Sequence, residues 1–402
     1  MKKKYTGKDE PKKIWDEVYK RAEKGSERPA IGEKSGYGFV FYSYGRLISD
    51  AHGLALALSE LTDPADPITV GASAFDTATV ILAASLISRS VIVSDLSDGM
   101  TFNGLIITDK NTFSPKFISP EELRALIAGA LSGSSSSPSP HGKEEIEITF
   151  RSKGGSVTYS ESAAILSALA FKTGCGLRKG DRLMSLIHPS TESGLLSGLL
   201  APLLCSATSA VCINAKSTVR YMRSISPTKL FCPREVASAI ILKLLRIKKK
   251  HPRTHSSVPS LSIEPMLLWL CRLSHPRISY LLGGRLKTVI STDEISPLSA
   301  RVFFSFGIYS ITVRSVKGLT PTIFHYGEDP RGVWKLPVGS TADMCNVHKG
   351  GVGSLVIKAP HVRKGIPIPN TYLPGEMPDS SSLVTPLCGF VMKNGRVFVS
   401  GE

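Results

Sequence analysis

Between residues 11 and 109 short β-branched runs keep alternating with longer stretches of helical spacing, and this constrains the chain more than any other feature. The runs at 90–94 (SVIVS) and 105–109 are too short for helices and read as buried strands. Residues 67–75 read as a strand, and 77–87 as a largely apolar helix with Asp76 placed to cap it. Upstream, 11–24 reads as a helix and 39–43 as a strand. Ser43 is placed to cap a helix running to about Leu61, with Leu47, Leu54, Leu56 and Leu58 on or near its apolar face. Alternating strands and helices imply an α/β fold with a largely parallel sheet.

The composition shifts at 131–142 (LSGSSSSPSPHG), where Ser, Gly and Pro give the clearest candidate linker. Residues 145–150 (EIEITF) then alternate as a strand, and a second α/β run extends to about Ile323. Beyond Val333 short β segments at 353–358, 389–392 and 397–400 are separated by turn residues. The expected division is therefore 1–130, a first α/β subdomain, and 131–145, a Ser/Pro-rich linker. Residues 146–330 form a second α/β subdomain, and 331–402 a small β-rich one.

A 402-residue chain with 42% hydrophobic residues is neither disordered nor a disulfide-stapled mini-protein. Its seven cysteines are scattered and never spaced C-x-x-C, which points to reduced, mostly buried thiols in a cytoplasmic protein and to no zinc site. The basic amino terminus is not followed by an apolar run, so no secretion signal is expected. Residues 193–215 carry no charge, but Pro202 and frequent Ser and Thr favour a buried helix, a turn and a buried strand over a membrane span.

Lys and Arg number 49 against 33 Asp and Glu, a net charge of +16. The excess clusters at Lys2–Lys4, Lys12–Lys13 and 243–255 (KLLRIKKKHPRTH). Such runs read as solvated faces or as contacts for an anionic membrane surface, which would make the protein peripheral to a membrane. Aromatic interleaving is sparse, so no nucleic-acid partner is expected. His251 and His255 are separated by Pro252 and lack further donors, so no metal site is expected there.

Several segments in sequence resemble the large N-terminal domain of the AMP-forming acyl-CoA synthetases, above all the long-chain fatty-acid branch. They are 28–61 (RPAIGEK to LSEL), 179–213 (KGDRLMSLIHPSTESGLLSGLLAPLLCSATSAVCI) and 227–236 (PTKLFCPREV). They continue with 282–303 (LGGRLKTVISTDEISPLSARVF), 336–339 (LPVG) and 353–365 (GSLVIKAPHVRKG). The resemblance spans about Ile14 to Glu402. It implies two stacked α/β subdomains in αβαβα layers, a small β-barrel-like subdomain, and a C-terminal lid domain missing from this chain. The implied activity is ATP-driven acyl-adenylate formation followed by transfer to CoA, with ATP, Mg²⁺ and CoA as cofactors.

The motif positions depart from that pattern. The phosphate loop T-S-G-T-T-G-x-P-K-G falls on Thr149 to Val157, where Thr149 and Gly154 match while Phe150 and Arg151 replace small residues. Arg151 and Lys153 leave the loop a basic, anion-attracting remnant, with Ser152 and Lys153 kept as motif positions. The gly-gly-ala-pro segment falls on Thr292, Asp293, Glu294 and Ile295, whose acids would repel a triphosphate or cap the helix starting near Pro297. The Y-G-x-T-E motif keeps Gly318 and Thr320, but Lys317 replaces its aromatic residue and Pro321 its magnesium-binding Glu. In T-G-D only Thr385 matches, followed by Pro386 and Leu387. The family's His falls near Ser190, two residues after His188.

These departures imply a degenerate homologue that binds an acyl- or CoA-type ligand or a partner, with no catalytic residue, cofactor or metal ligand assigned. The alternatives are an active long-chain fatty-acid–CoA ligase completed by a partner protein that supplies the lid domain, and a basic membrane-peripheral protein.

Overall fold

The computed structural model describes residues 13–35, 38–61, 66–95, 104–108, 117–133, 145–152, 155–213, 218–250, 280–316, 319–327, 333–337, 340–345, 353–359, 382–392 and 396–401. Helix α1 (Ile14–Glu23) leads into a hairpin of β1 (Pro29–Ser35) and β2 (Gly38–Ser43). Strand β1 goes beyond the sequence reading, because its PAIGEKS sequence carries Pro, Gly and charge in place of a strand alternation. Helix α2 (Tyr44–Leu61) starts where expected, with the Ser43 hydroxyl accepting from the Arg46 amide at 3.2 Å.

Strand β3 (Ile68–Gly71) is shorter than expected, and α3 (Ala74–Leu86) begins earlier. Its N-cap is Ser73, whose hydroxyl accepts from the Asp76 amide at 3.2 Å and donates to the Asp76 carboxylate at 2.9 Å. Asp76 thus holds the cap's hydroxyl from inside the first turn and is not the cap, because its backbone is already helical. Next come β4 (Val91–Ser94), β5 (Leu105–Thr108), β6 (Phe117–Ile118), α4 (Pro120–Gly133), and the hairpin of β7 (Glu147–Ser152) and β8 (Gly155–Ser160).

Helix α5 (Glu161–Gly174) precedes β9 (Arg182–Ser185). The uncharged stretch then forms a π-helix (Ser193–Leu200), α6 (Ala201–Leu203) and β10 (Thr208–Val211), buried almost throughout. Among the described residues no helix is long and apolar enough to cross a membrane. The chain continues through α7 (Thr218–Ile225), β11 (Lys229–Cys232), α8 (Arg234–Lys250), β12 (Thr288–Ser291) and α9 (Pro297–Ser305). It ends in β13 (Tyr309–Val316), β14 (Leu319–Tyr326), β15 (Val333–Lys335), β16 (Thr341–Cys345), β17 (Gly353–Lys358), β18 (Ser382–Val391) and β19 (Val397–Gly401).

One sheet has the order β6-β5-β3-β4-β7-β8, parallel except for its terminal hairpin. The other runs β16-β17-β18-β19-β15-β14-β13-β12-β11-β9-β10-β1-β2. From β13 to β1 it is parallel, and from β14 outward it is antiparallel. Consecutive residues of its parallel strands serve two different cores. Leu183, Phe231 and Ile290 join the core shared with the six-stranded sheet, α3, α5 and the π-helix. Met184, Leu230 and Val289 join the core beneath α7, α8 and α9. Burial on both faces follows from helices covering both sides of a parallel sheet. A third, smaller core around Trp334, Leu355, Ile357 and Leu387 belongs to the antiparallel strands.

Two helix starts in the shared core are capped by distant carboxylates. Helix α1 has no side-chain cap of its own. Glu161, at the start of α5, accepts from the Ile14 amide at 2.6 Å and from the Ser85 hydroxyl at 2.5 Å, while Ser85 accepts from the Trp15 amide at 3.0 Å. Glu33 of β1 likewise accepts from the Phe75 amide at the start of α3, at 2.5 Å. Burial pushes both carboxyls above their ordinary range, against the opposing pull of these hydrogen bonds. Tyr44 ties α2 to the far end of the uncharged stretch, donating to the Ala207 carbonyl at 2.9 Å.

Candidate functional site

The parallel strands of the large sheet all deliver their carboxyl ends to one edge, where open α/β sheets bind ligands. Three of the motif segments lie there or beside it. They are the loop after β9, the segment after β12 and the start of β14.

Thr320 is the best-connected of the expected site residues. It is 1% exposed, at the start of β14 and ahead of a cis bond to Pro321. Its carbonyl accepts from the Ser167 hydroxyl of α5. Its side chain and backbone also hydrogen-bond the Tyr159 phenol. Tyr159, buried on β8, donates to the Glu192 carboxylate at 2.8 Å. Burial, then the adjacent Glu192 charge, push the Tyr159 phenol well above its ordinary range, so it serves as a neutral donor. Ser167, Tyr159, Glu192 and Thr320 thus join four separate elements in one polar cluster.

Sequence reasoning found only Thr320 of these four. The signals for two others were present. The alternation in SVTYS sends Val157 and Tyr159 inward, and a buried phenol needs a partner. Glu192 is the acid directly ahead of the uncharged stretch.

The loop carrying Glu192 is tightly built. The Ser190 amide donates to His188 Nδ1 at 3.1 Å, and the Ser190 hydroxyl lies 2.6 Å from the same atom. An amide can only donate, so Nδ1 is the acceptor and the neutral ring carries its proton on Nε2. The His188 carbonyl accepts from the Thr191 amide and hydroxyl. A Cβ at Gly194 would stand 1.8 Å from that carbonyl, so only glycine fits where the π-helix starts against the loop.

The remaining expected residues are not gathered with Thr320. Thr149 sits mid-strand on β7, its hydroxyl 2.9 Å from that of Thr158. It faces away from Tyr159, because Phe150 and Tyr159 share the inner face with their rings 5.9 Å apart. Ser152 donates to the Gly155 carbonyl across the hairpin at 3.3 Å. Lys153, Gly154, Lys317 and Gly318 lie outside the described residues, as do His251 and His255. Thr385 is buried in β18 and donates to the Leu355 carbonyl at 2.9 Å, while Leu387 belongs to the third core.

Asp293 and Glu294 do not cap α9. Ser296 does, accepting from the Ser299 amide at 3.2 Å, because Glu294 and Asp293 stand two and three residues too early to reach that helix start. Glu294 instead pairs with Arg314 of β13 at 3.7 Å.

These positions do not fit a magnesium–triphosphate. Pro321 has no side-chain oxygen and Leu387 none to offer a ribose, while the Thr320 and Thr385 hydroxyls already have protein partners. Among the described residues no group of three or more His, Cys, Asp or Glu side chains is placed to hold a metal ion. A separate cleft of about 380 Å³ opens between α5 and the amino ends of β12 and β13, lined by Gly174, Thr288, Tyr309, Ser310 and Tyr326. It lies at the end of the strands opposite to the motif segments.

No protein-family model matches the chain, and no curated protein does. Solved structures do. VinN, solved in complex with L-aspartate, aligns over 97% of this chain and 99% of its own, at TM-score 0.72 and 14% identity. The N-terminal domain of FACL13 from Mycobacterium tuberculosis aligns over 97% of this chain and 100% of its own, at TM-score 0.70 and 12% identity. The anthranilate CoA ligase AuaEII, in complex with anthranoyl-AMP, aligns over 99% of this chain and 78% of its own, at TM-score 0.70 and 12% identity. The chain thus has the fold of the N-terminal domain of the adenylate-forming acyl-CoA ligases.

Proposed function

We propose that this chain is an acyl-CoA-synthetase-like pseudoenzyme that has lost or strongly reduced adenylation and binds an acyl- or CoA-type small molecule or a partner protein. The observation that carries this reading is the pair Thr320–Pro321. A proline stands where the resemblance expects the magnesium-binding carboxylate, and the threonine before it is committed to Ser167 and Tyr159. Electrostatic groups of this kind contribute about two to three orders of magnitude each to a rate, so their joint loss is disabling.

Within this reading Thr149, Ser152, Lys153, Gly154, Gly318, Thr320 and Thr385 are remnants of a ligand site. The carboxylate-bearing ligand named for VinN and the acyl-adenylate named for AuaEII support a small carboxylic acid or its thioester as the ligand class. A cytoplasmic role in fatty-acid metabolism accords with that class.

The test is calorimetric titration of the protein with Mg·ATP, followed by pyrophosphate exchange over a panel of fatty acids. The expected result is no ATP binding tighter than about 1 mM and no exchange, with thermal stabilisation by CoA or an acyl-CoA. Sub-millimolar ATP binding or any exchange overturns the reading.

One observation favours a second reading, an active ligase completed by a lid on a partner chain. Glu192 brings a carboxylate to the Thr320 cluster from another element. In that case Glu192→Gln would weaken Mg·ATP binding in the same titration.

A further inference from the structure

The outer face of the large sheet carries a surface that the ligand site does not use. Helix α8 buries Val236, Ile240, Ile241 and Leu244 in the core beneath it. Its opposite face leaves Leu242 58% and Leu245 41% exposed, next to exposed Lys243 and Arg246. The helix continues through Lys248, Lys249 and Lys250. Helix α9 packs beside α8 and exposes Leu298 at 74%, with exposed Arg301 one turn on. Acidic residues on this side stand at the helix starts: Glu235 on α8, and Asp293 and Glu294 ahead of α9, with Glu294 paired to Arg314.

Exposed leucines are common singly, but here three on adjacent helices are interleaved with cations on a chain of net charge +16. The geometry points to the outer face of α8 and α9 as a docking surface for an anionic lipid membrane. Leu242, Leu245 and Leu298 enter the headgroup layer shallowly while Lys243, Arg246 and Arg301 meet the lipid phosphates. The opposite face of α8 stays in the protein core, so the helix lies along the surface and does not cross it. Membrane is favoured over nucleic acid because the exposed side chains of α8 and α9 include three leucines, which a headgroup layer takes up and a phosphate backbone does not. This docking is independent of whether the cluster at Thr320 binds a nucleotide.

The test is co-sedimentation of the full chain with vesicles of three parts phosphatidylserine to seven of phosphatidylcholine, against pure phosphatidylcholine. Binding should occur only to the anionic vesicles and should fall steeply when salt is raised several-fold from about 0.1 M. Lys243→Ala with Arg246→Ala should lower the partition coefficient roughly 30-fold, taking the usual contribution of a basic residue near an anionic surface. Leu242→Ser with Leu245→Ser should lower it separately, with an unchanged circular dichroism spectrum because both side chains are on the surface. The proposal is overturned by equal binding to neutral vesicles, by no vesicle binding, or by folded variants that bind as the parent does. Binding to DNA or polyglutamate without binding to vesicles also overturns it.

Discussion

Glu161 offers a direct test of how the first helix is held. It lies 147 residues from the Ile14 amide it accepts, and is 1% exposed. Glu161→Ala strips the acceptor from that amide and from the Ser85 hydroxyl. A buried donor left unpaired costs about 1–3 kcal/mol, and a lost helix cap about 1 kcal/mol. Some of this is returned, because the burial that raises the Glu161 pKa also penalises its charged form. A net loss of about 1–3 kcal/mol is expected. Glu161→Gln keeps one acceptor oxygen without the charge, and its cost should stay under about 1 kcal/mol at neutral pH.

The two variants also separate in pH dependence. The folded-state pKa of Glu161 is raised above its ordinary 4.5, so the folded state holds this proton more tightly than the unfolded chain. The side chain's contribution is therefore complete below about pH 4.5 and declines as pH rises through the folded value. Between pH 5 and 8 the native protein should lose ground relative to Glu161→Gln. Melting temperatures across that range, with hydrogen exchange at the Ile14 and Trp15 amides, measure both effects. Unchanged protection of those amides in Glu161→Ala would refute the distant cap.

Tyr44→Phe should cost about 1–2 kcal/mol in urea unfolding, because the Ala207 carbonyl loses its buried donor; a change below about 0.3 kcal/mol would count against that tie. Burial pushes the Cys205 thiol up to about 11 and that of Cys232 up to about 12, so at pH 8 almost none is thiolate. In the native protein both should resist alkylation mapped by mass spectrometry, and react once unfolded; rapid native labelling of either would contradict this burial.

Local chemistry made part of the fold legible in the sequence. Ser43 caps α2 as its position suggests, and the uncharged stretch resolves into buried helix, turn and strand, although the helix runs through Pro202 to Leu203 and turns only before Ser206, whose φ is positive. Strand β1 was not legible, since its partner β10 and not its own alternation makes it a strand. Asp76 was misplaced because Ser73, three residues earlier, competes for the same cap. In the site, Thr320 could be found by its motif. Its partners Ser167, Tyr159 and Glu192 come from three other elements, and no spacing rule brings them together.

The pairing of β1 with β10 also sets a timetable for synthesis. The Thr208 hydroxyl that binds the Pro29 carbonyl is 179 residues further along the chain. At a translation rate of about 5–20 residues per second, β1 waits roughly 9 to 36 s on the ribosome for its neighbour. The six-stranded sheet, closed by residue 160, is complete within that interval. The nascent chain therefore holds the β1–β2 hairpin as an open-edged strand pair for many seconds. During that time a chaperone, or a premature partner strand, competes with β10 for the same backbone groups.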